Sequence, residues 1–324
     1  MDTETFVGID VSKGWLEVVV RPTGEHRRLA NDAAGWAEAL TWLDQARVLV
    51  VLEASGGYEQ GVVQALSGAG IAVSVGNPLW LRRWMQSQGQ QAKTDRLDAA
   101  MLALYAEERR PQPTVLPDET ARTVAALLTR RRQLVQMRAA EKTRRKHPRL
   151  PAAVAAQLDD HLAWLTGQIK ALEGQLAAAV AAADADWRQR VAQYDSVPGI
   201  ALLTATQLAV GLPELGQVSA EAAAALAGVA PYDQESGQHR GRRVIGGGRR
   251  WVRHALFEAI LSTIRCDPTF AAHYAQLVAG GKPHNVAMIA CVRRLLGILT
   301  AMGRDGLTWQ QTDVGQGKFL PKAA

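Results

Sequence analysis

Four carboxylates occupy positions suited to phosphodiester chemistry. Asp10 follows an apolar run, residues 5 to 9, and opens the turn-forming stretch Val11-Ser12-Lys13-Gly14. Glu53 comes directly after a second apolar run, residues 47 to 52, while Asp95 and Asp98 lie three apart and so share one face of a helical pattern. Two-metal cleavage of a phosphodiester needs several hard oxygen donors converging where cations sit about 4 Å apart. Taken singly, each acid has an ordinary explanation: Asp10 caps a turn, Glu53 is a solvated loop acid, Asp95 steadies a helix N-terminus. Taken together these explanations weaken, because an acid that ends an apolar strand carries a desolvation cost unless something uses its charge.

A possible nucleophile lies far along the chain. Ser236 stands beside Gly237 and is followed by Arg240, Arg242, Arg243, Arg249 and Arg250, and guanidinium groups hold phosphates and stabilise charge that develops on them. No base partner for the serine is visible in the sequence, so on the residues alone an ordinary loop serine is the favoured reading. His239 reads as a surface residue. The stretch Val244-Ile245-Gly246-Gly247-Gly248 lacks the Gly-Lys-Ser/Thr ending of a phosphate-binding loop and is expected to be a flexible basic loop.

Other residues read as contacts to a polyanion. Arg82 and Arg83 suit phosphate, with Trp80 and Trp84 four apart as a packing stripe beside them. Lys93 adjoins the acid pair. Gly199, within Pro198-Gly199-Ile200, either offers backbone amides to a DNA phosphate or merely turns the chain between helices.

The elements that must position these groups follow from periodicity. Apolar runs near residues 5–9, 15–20, 47–52 and 71–75 read as strands, with a crossover helix over 58–68, which makes a mixed α/β sheet. Thr94 is a plausible N-cap for a helix whose face carries Leu97, Met101 and Leu104. A basic helix over 119–146 includes Arg130, Arg131, Arg144 and Arg145, and prolines at 148 and 151 close it. Leu158, Leu162, Leu165, Ile169, Leu172 and Leu176 then alternate four and three apart, a heptad that predicts a coiled coil between chains, with packing inside one chain as the alternative. Beyond Trp187 the pattern is that of a compact helical domain interrupted by the Gly/Arg-rich loop.

Charge supports a nucleic-acid partner. The net charge of +6 is concentrated: residues 82–149 hold 16 Lys/Arg against 7 Asp/Glu, and residues 236–254 hold six Arg and no acid. Two cysteines without paired spacing argue against a disulfide scaffold or zinc module. No apolar run reads as a membrane span and no signal peptide is expected, so the protein should remain in the compartment that holds DNA.

In order and spacing, a set of motifs resembles the DEDD transposases of bridge-RNA-guided insertion sequences. In the first half they are Gly8-Ile9-Asp10-Val11-Ser12-Lys13, Leu52-Glu53-Ala54-Ser55-Gly56-Gly57-Tyr58, Asn77-Pro78 and Ala92-Lys93-Thr94-Asp95-Arg96-Leu97-Asp98-Ala99. They continue in Val197-Pro198-Gly199-Ile200, Gly228-Val229-Ala230-Pro231, Ser236-Gly237 and Gly281-Lys282. The resemblance implies a RuvC-like domain of RNase H fold over 1–118, a basic helix and coiled coil over 119–187, and a helical transposase domain over 188–324. It further implies that Asp10, Glu53, Asp95 and Asp98 hold Mg²⁺, as two ions, and that Ser236 is the nucleophile. The partners it implies are donor and target DNA, a structured bridge RNA, and further copies of the chain in a dimer or tetramer, within the nucleoid of a bacterial cytoplasm.

Three other readings compete. A RuvC-like metal nuclease would not need the serine, and a non-catalytic nucleic-acid-binding protein would not need the acids. Sugar kinases and actin-like ATPases also open on Gly-Ile-Asp, but they carry a later Asp-Gly-Gly phosphate turn that this sequence lacks.

Overall fold

The computed structural model describes residues 4–43, 47–89, 94–233, 235–236, 239–240 and 243–316; for 235, 236, 239 and 240 it describes the backbone alone. The chain divides into two compact units, residues 1–116 and 117–324.

The first unit is built on a five-stranded sheet. Its strands are β1 (Thr5–Val11), β2 (Trp15–Arg21), β3 (His26–Ala30), β4 (Val48–Glu53) and β5 (Ala72–Gly76), in the order β3-β2-β1-β4-β5. β1 is antiparallel to β2 and parallel to β4, and β4 is parallel to β5. Helices α1 (Ala33–Trp42) and α2 (Gln60–Gly68) bury Ala39, Val62, Val63 and Leu66 against Val7, Ile9, Val50 and Leu52 on one face. On the other face α3 (Pro78–Ser87) and α4 (Asp95–Arg109) bury Leu81, Trp84, Met85, Leu102 and Ala106 against Phe6 and Val51. A mixed sheet with helices on both faces is consistent with the RNase H-like expectation. Sequence periodicity missed β3, a five-residue edge strand whose only buried residue is Leu29, and also α1.

Thr94 caps α4 as expected, its hydroxyl accepting from the Leu97 amide at 3.2 Å. Met101 and Leu104 pack half-buried on the core as expected, but the fully buried stripe of α4 is a different one. It consists of Ala99, Leu102, Ala103 and Ala106, whereas Leu97 is exposed. Small side chains win here because the helix backbone lies almost directly on β1.

In the second unit, α5 (Glu119–Arg145) and α6 (Ala152–Ala182) form an antiparallel hairpin. The heptad residues Leu165 and Ile169 pack with Leu134 of α5, and Leu176 joins Val124 and Leu128. This corrects the expectation of pairing between chains: a helix of matching length follows in the same chain, and the seam is buried against it. Ion pairs line the hairpin, Arg131 to Glu173 at 2.6 Å and Arg145 to Asp159 at 2.8 Å.

The remainder packs α7 (Ala185–Asp195), α8 (Leu202–Gly211), α9 (Ala220–Ala227), α10 (Arg250–Cys266), α11 (Pro268–Ala279) and α12 (His284–Asp305) into one core. By composition α12, 22 residues long, could cross a bilayer, yet its buried residues Met288, Cys291, Val292, Leu295, Leu296 and Leu299 are the centre of that core. Between α9 and α10 the expected loop is a ribbon of short strands: β6 (Pro231–Tyr232) pairs with β9 (Val244–Ile245), and nested inside them β7 (Glu235–Ser236) pairs with β8 (His239–Arg240).

Candidate catalytic site

Asp10 and Glu53 stand at the carboxyl ends of neighbouring parallel strands, one step beyond the registered pair Ile9 and Leu52. Alternation along β1 puts Asp10 on the face of Gly8 and Phe6, and alternation along β4 puts Glu53 on the face of Val51. Phe6 and Val51 both pack on α3 and α4, so both acids project on the α4 side of the sheet. Gly8 explains how close α4 comes: a Cβ there would lie 2.0 Å from the Ala99 carbonyl oxygen and 2.3 Å from the Ala103 nitrogen. The helix can rest on the strand only where no side chain intervenes.

That contact fixes the first turn of α4. Asp98 immediately precedes Ala99, and Gly8 is two residues from Asp10 on the same face, so the first turn rises beside the end of β1. Arg21 of β2 binds Glu107 of α4 at 2.5 Å and anchors the other end of the helix. Asp95 and Asp98 lie in that first turn, where the helix dipole favours negative charge. Asp10, Glu53 and Asp98 are half-buried and Asp95 is exposed.

The donor set is all carboxylate, which suits a hard divalent cation, and it stands on rigid strand ends and a capped helix turn. Among the described residues no three His, Cys, Asp or Glu side chains are grouped closely enough to hold one metal ion. The four acids share one end of the sheet, but their side chains are not drawn into a ligand shell. A cavity of about 760 Å³ opens at the opposite end of the sheet, lined by Glu4, Phe6, Arg47 and Arg110 among others. The acids stand at the other, open end of the strands, away from that cavity.

Sequence reasoning missed Glu59. Its carboxylate accepts from the Ser55 amide at 3.0 Å, the Ser55 hydroxyl at 2.9 Å and the Gly57 amide at 2.9 Å, and so closes the loop that follows Glu53. Gly56 and Gly57 take φ of +76° and +112° to let the backbone reach it. Partial burial pushes the Glu59 carboxyl up, but these hydrogen bonds outweigh it and hold the group below its ordinary value.

Trp84 is buried as expected, but Trp80 is 66% exposed, which corrects its assignment to packing. The buried stripe of α3 runs through Leu81, Trp84 and Met85, and Trp80 lies in the first turn at its margin. Arg82 and Arg83 are exposed, with the Arg83 guanidinium 5.5 Å from the Trp80 ring. Lys93 lies outside the described residues.

In the second unit Ser236 occupies the inner strand pair of the ribbon, opposite His239. The side chains of Ser236 and Arg240, and all of Arg242, lie outside the described residues. The base of the ribbon is firmly held. Arg249 makes a two-pronged ion pair with Glu214, at 2.5 and 2.7 Å, and donates to the Gly211 carbonyl at 2.8 Å. Partial burial pushes the Glu214 carboxyl up, and the Arg249 hydrogen bonds more than offset it, leaving the group lowered. Arg253 donates to the carbonyls of Gly228 and Gly247.

A Cβ on Gly248 would lie 2.2 Å from the Gly228 nitrogen, and one on Gly228 would lie 2.3 Å from the Gly247 oxygen. These glycines are thus a close backbone crossing, not the flexible loop expected. Arg249 has a job inside the fold, and Arg243 pairs with Asp233 at 2.5 Å, whereas Arg250 is exposed at the start of α10. Gly199 sits in a turn with φ +88°, but a Cβ there would lie 2.4 Å from the Thr263 nitrogen, so its packing against α10 accounts for the glycine. On the hairpin, Arg131 and Arg145 are paired as described, Arg144 meets Glu141 at 3.0 Å, and Arg130 donates to Gln133 at 3.2 Å; all but Arg131 remain exposed.

Comparison with known proteins gives two family matches, the first of which runs across the boundary between the two units. Residues 7–147 match a family model described as a transposase, of the IS110 DEDD type, and residues 192–275 match the transposase IS116/IS110/IS902 family. A pilin gene-inverting protein of Moraxella bovis is 25% identical over 94% of this chain and 97% of its own length. Its counterpart from Moraxella lacunata aligns to the same extent. An uncharacterised 43.6 kDa protein of the insertion element IS110 from Streptomyces coelicolor is 31% identical over 36% of this chain and 29% of its own.

Proposed function

The chain belongs to the IS110 family of DEDD transposases, and we propose that it cuts and rejoins DNA with Asp10, Glu53, Asp95 and Asp98 in its first unit and Ser236 in its second. The observation that carries this reading is the seating of α4 on Gly8, which brings the Asp95/Asp98 turn to the sheet end where Asp10 and Glu53 stand. Two divalent cations such as Mg²⁺, when bound there, would supply charge neutralisation at the scissile phosphate. The acids hold and orient them.

Ser236 Oγ gives up its proton and bonds to the scissile phosphorus as one P–O bond to a deoxyribose breaks, and the departing sugar oxygen gains a proton. Attack by the hydroxyl of another strand on the phosphoserine reverses the exchange and restores Ser236, so the phosphodiester energy is kept and no ATP is needed. The name of the Moraxella relatives supports exchange over simple cutting, because inverting a gene requires rejoining. Exposed arginines on α3, on the α5–α6 hairpin and at Arg250 suit the phosphate backbone of donor and target DNA. The family resemblance suggests a bridge RNA as the guide.

A metal nuclease built on the same first unit is the competing reading, since the four acids are complete without the serine. Trapping the reaction with denaturant and resolving labelled DNA on a denaturing gel separates the two. The expected result is protease-sensitive label on the wild-type protein and none on Ser236→Ala, which should still bind DNA but lose strand exchange. Efficient exchange by Ser236→Ala would leave the acid centre as the sole chemical site.

A further inference from the structure

We propose that Trp80, with Trp15 and Tyr58, forms a stacking rim for unpaired DNA bases at the acid end of the first unit. The inference rests on the reading of that end as a site acting on DNA, and adds the state in which the strand arrives: opened, with its bases turned out. All three rings are large, apolar and strongly exposed, Trp80 at 66% and Trp15 and Tyr58 at 51% each. Leu79, beside Trp80, is 56% exposed. Large apolar side chains exposed at one end of a fold mark a surface that a partner covers.

All three come from segments at the same end of the sheet. Trp15 opens β2, just across the turn from the end of β1; Tyr58 lies in the loop that leaves Glu53; Trp80 lies in the first turn after β5. In open α/β sheets this carboxyl end is where ligands bind.

The segments are tied together. Asn31 donates through Nδ2 to the Ser12 carbonyl at 2.8 Å and to the Tyr58 carbonyl at 3.1 Å, and its Oδ1 accepts from Trp36 at 2.9 Å. Ser12 also bonds both ways with the Trp15 backbone. Asn77 caps α3 beneath Trp80. Segments whose backbones are held in this way need little ordering when a base stacks on the rings they carry.

The charge beside the rings favours nucleic acid. The Arg28 guanidinium lies 5.1 Å from the Trp15 ring and is steadied by Glu17 at 3.2 Å, while Arg83 lies 5.5 Å from Trp80. Lys13 and Arg82 are exposed nearby in sequence. A ring for the base with a cation for its phosphate is the composition of a single-strand site. Paired bases inside a duplex keep their faces covered by their neighbours, so only the terminal pairs of a blunt duplex present a face to the rings.

The test uses the full chain with a fluorescently labelled single-stranded DNA, the same sequence as blunt duplex, and an RNA strand of that sequence. Trp80→Ala should weaken single-stranded DNA binding about fivefold to a hundredfold and leave duplex binding within about twofold. Trp80→Phe, which keeps a ring, should restore most of the loss. Because Trp80 is exposed, neither variant should alter thermal stability.

Wild-type affinity for single strand in Trp80→Ala, equal losses on single strand and duplex, or a loss confined to RNA would each overturn the proposal. Failure of the underlying reading looks different. It would show as undiminished strand exchange by Asp10→Asn, whatever the binding ratios.

Discussion

Glu59 shows how far the acid end depends on a residue with no place in the chemistry. It closes the loop after Glu53 with three hydrogen bonds, and its carboxyl is lowered relative to the ordinary 4.5. A carboxyl lowered by folding contributes stability above that value and loses it as pH falls through the folded value. Wild type should therefore weaken in urea as pH drops below about 4.5, and Glu59→Gln should flatten that part of the profile at a cost of about 1 kcal/mol near neutrality. An unchanged profile would remove Glu59 from the account. Gly8→Ala should be costlier, because the added methyl meets the backbone of α4. We expect a loss of about 1–3 kcal/mol in urea unfolding, with strand exchange falling further than stability as the Asp95/Asp98 turn is pushed off the strand. The positions of Asp10 and Glu53 were legible because each sits where an apolar run stops, and those of Asp95 and Asp98 because they lie three apart after a helix cap. Glu59 was not, since its role exists only once the chain has turned back on itself, and Arg249 was misread because Glu214 is distant in sequence.

Long, strongly periodic elements were legible and their partners were not. The heptad over residues 158–176 announced a helix with a buried seam, but a heptad does not say whether the facing helix comes from the same chain. With Leu165 fully buried against α5, Leu165→Ala should lower hairpin stability by about 2–5 kcal/mol in thermal or urea unfolding. The mass of any assembly, read by light scattering at a temperature where the variant is folded, should stay unchanged. A drop in mass without loss of stability would return the seam to an interface between chains. The same limit explains α4: the larger side chains on one face looked like the buried stripe, yet close approach to Gly8 selected the alanines. β3 went unread because an edge strand with one buried residue has almost no alternation to detect.

Across the whole molecule, the division into an α/β unit and a helical unit followed from the change of period near residue 94 and the prolines near 117, although the connector proved to be part of the second unit. The excess of exposed arginine in both units implies strongly salt-dependent DNA binding. If six to ten phosphates are contacted, affinity should fall by roughly 10³–10⁵ between about 50 and 200 mM salt, and a shallow slope would mean that few of these arginines reach DNA. The ribbon that carries Ser236 adds a different consequence. Its root is clamped by Arg249, Arg253 and the glycine crossing, so under the proposed role of Ser236 the length of the stalk formed by the outer strands would set how far the serine reaches. Because strands alternate faces with each residue, the stalk can change length only in even steps. Inserting one residue in each arm between the outer and inner strand pairs would turn the serine to the opposite face, while inserting two in each would keep its facing and carry it about 7 Å outward.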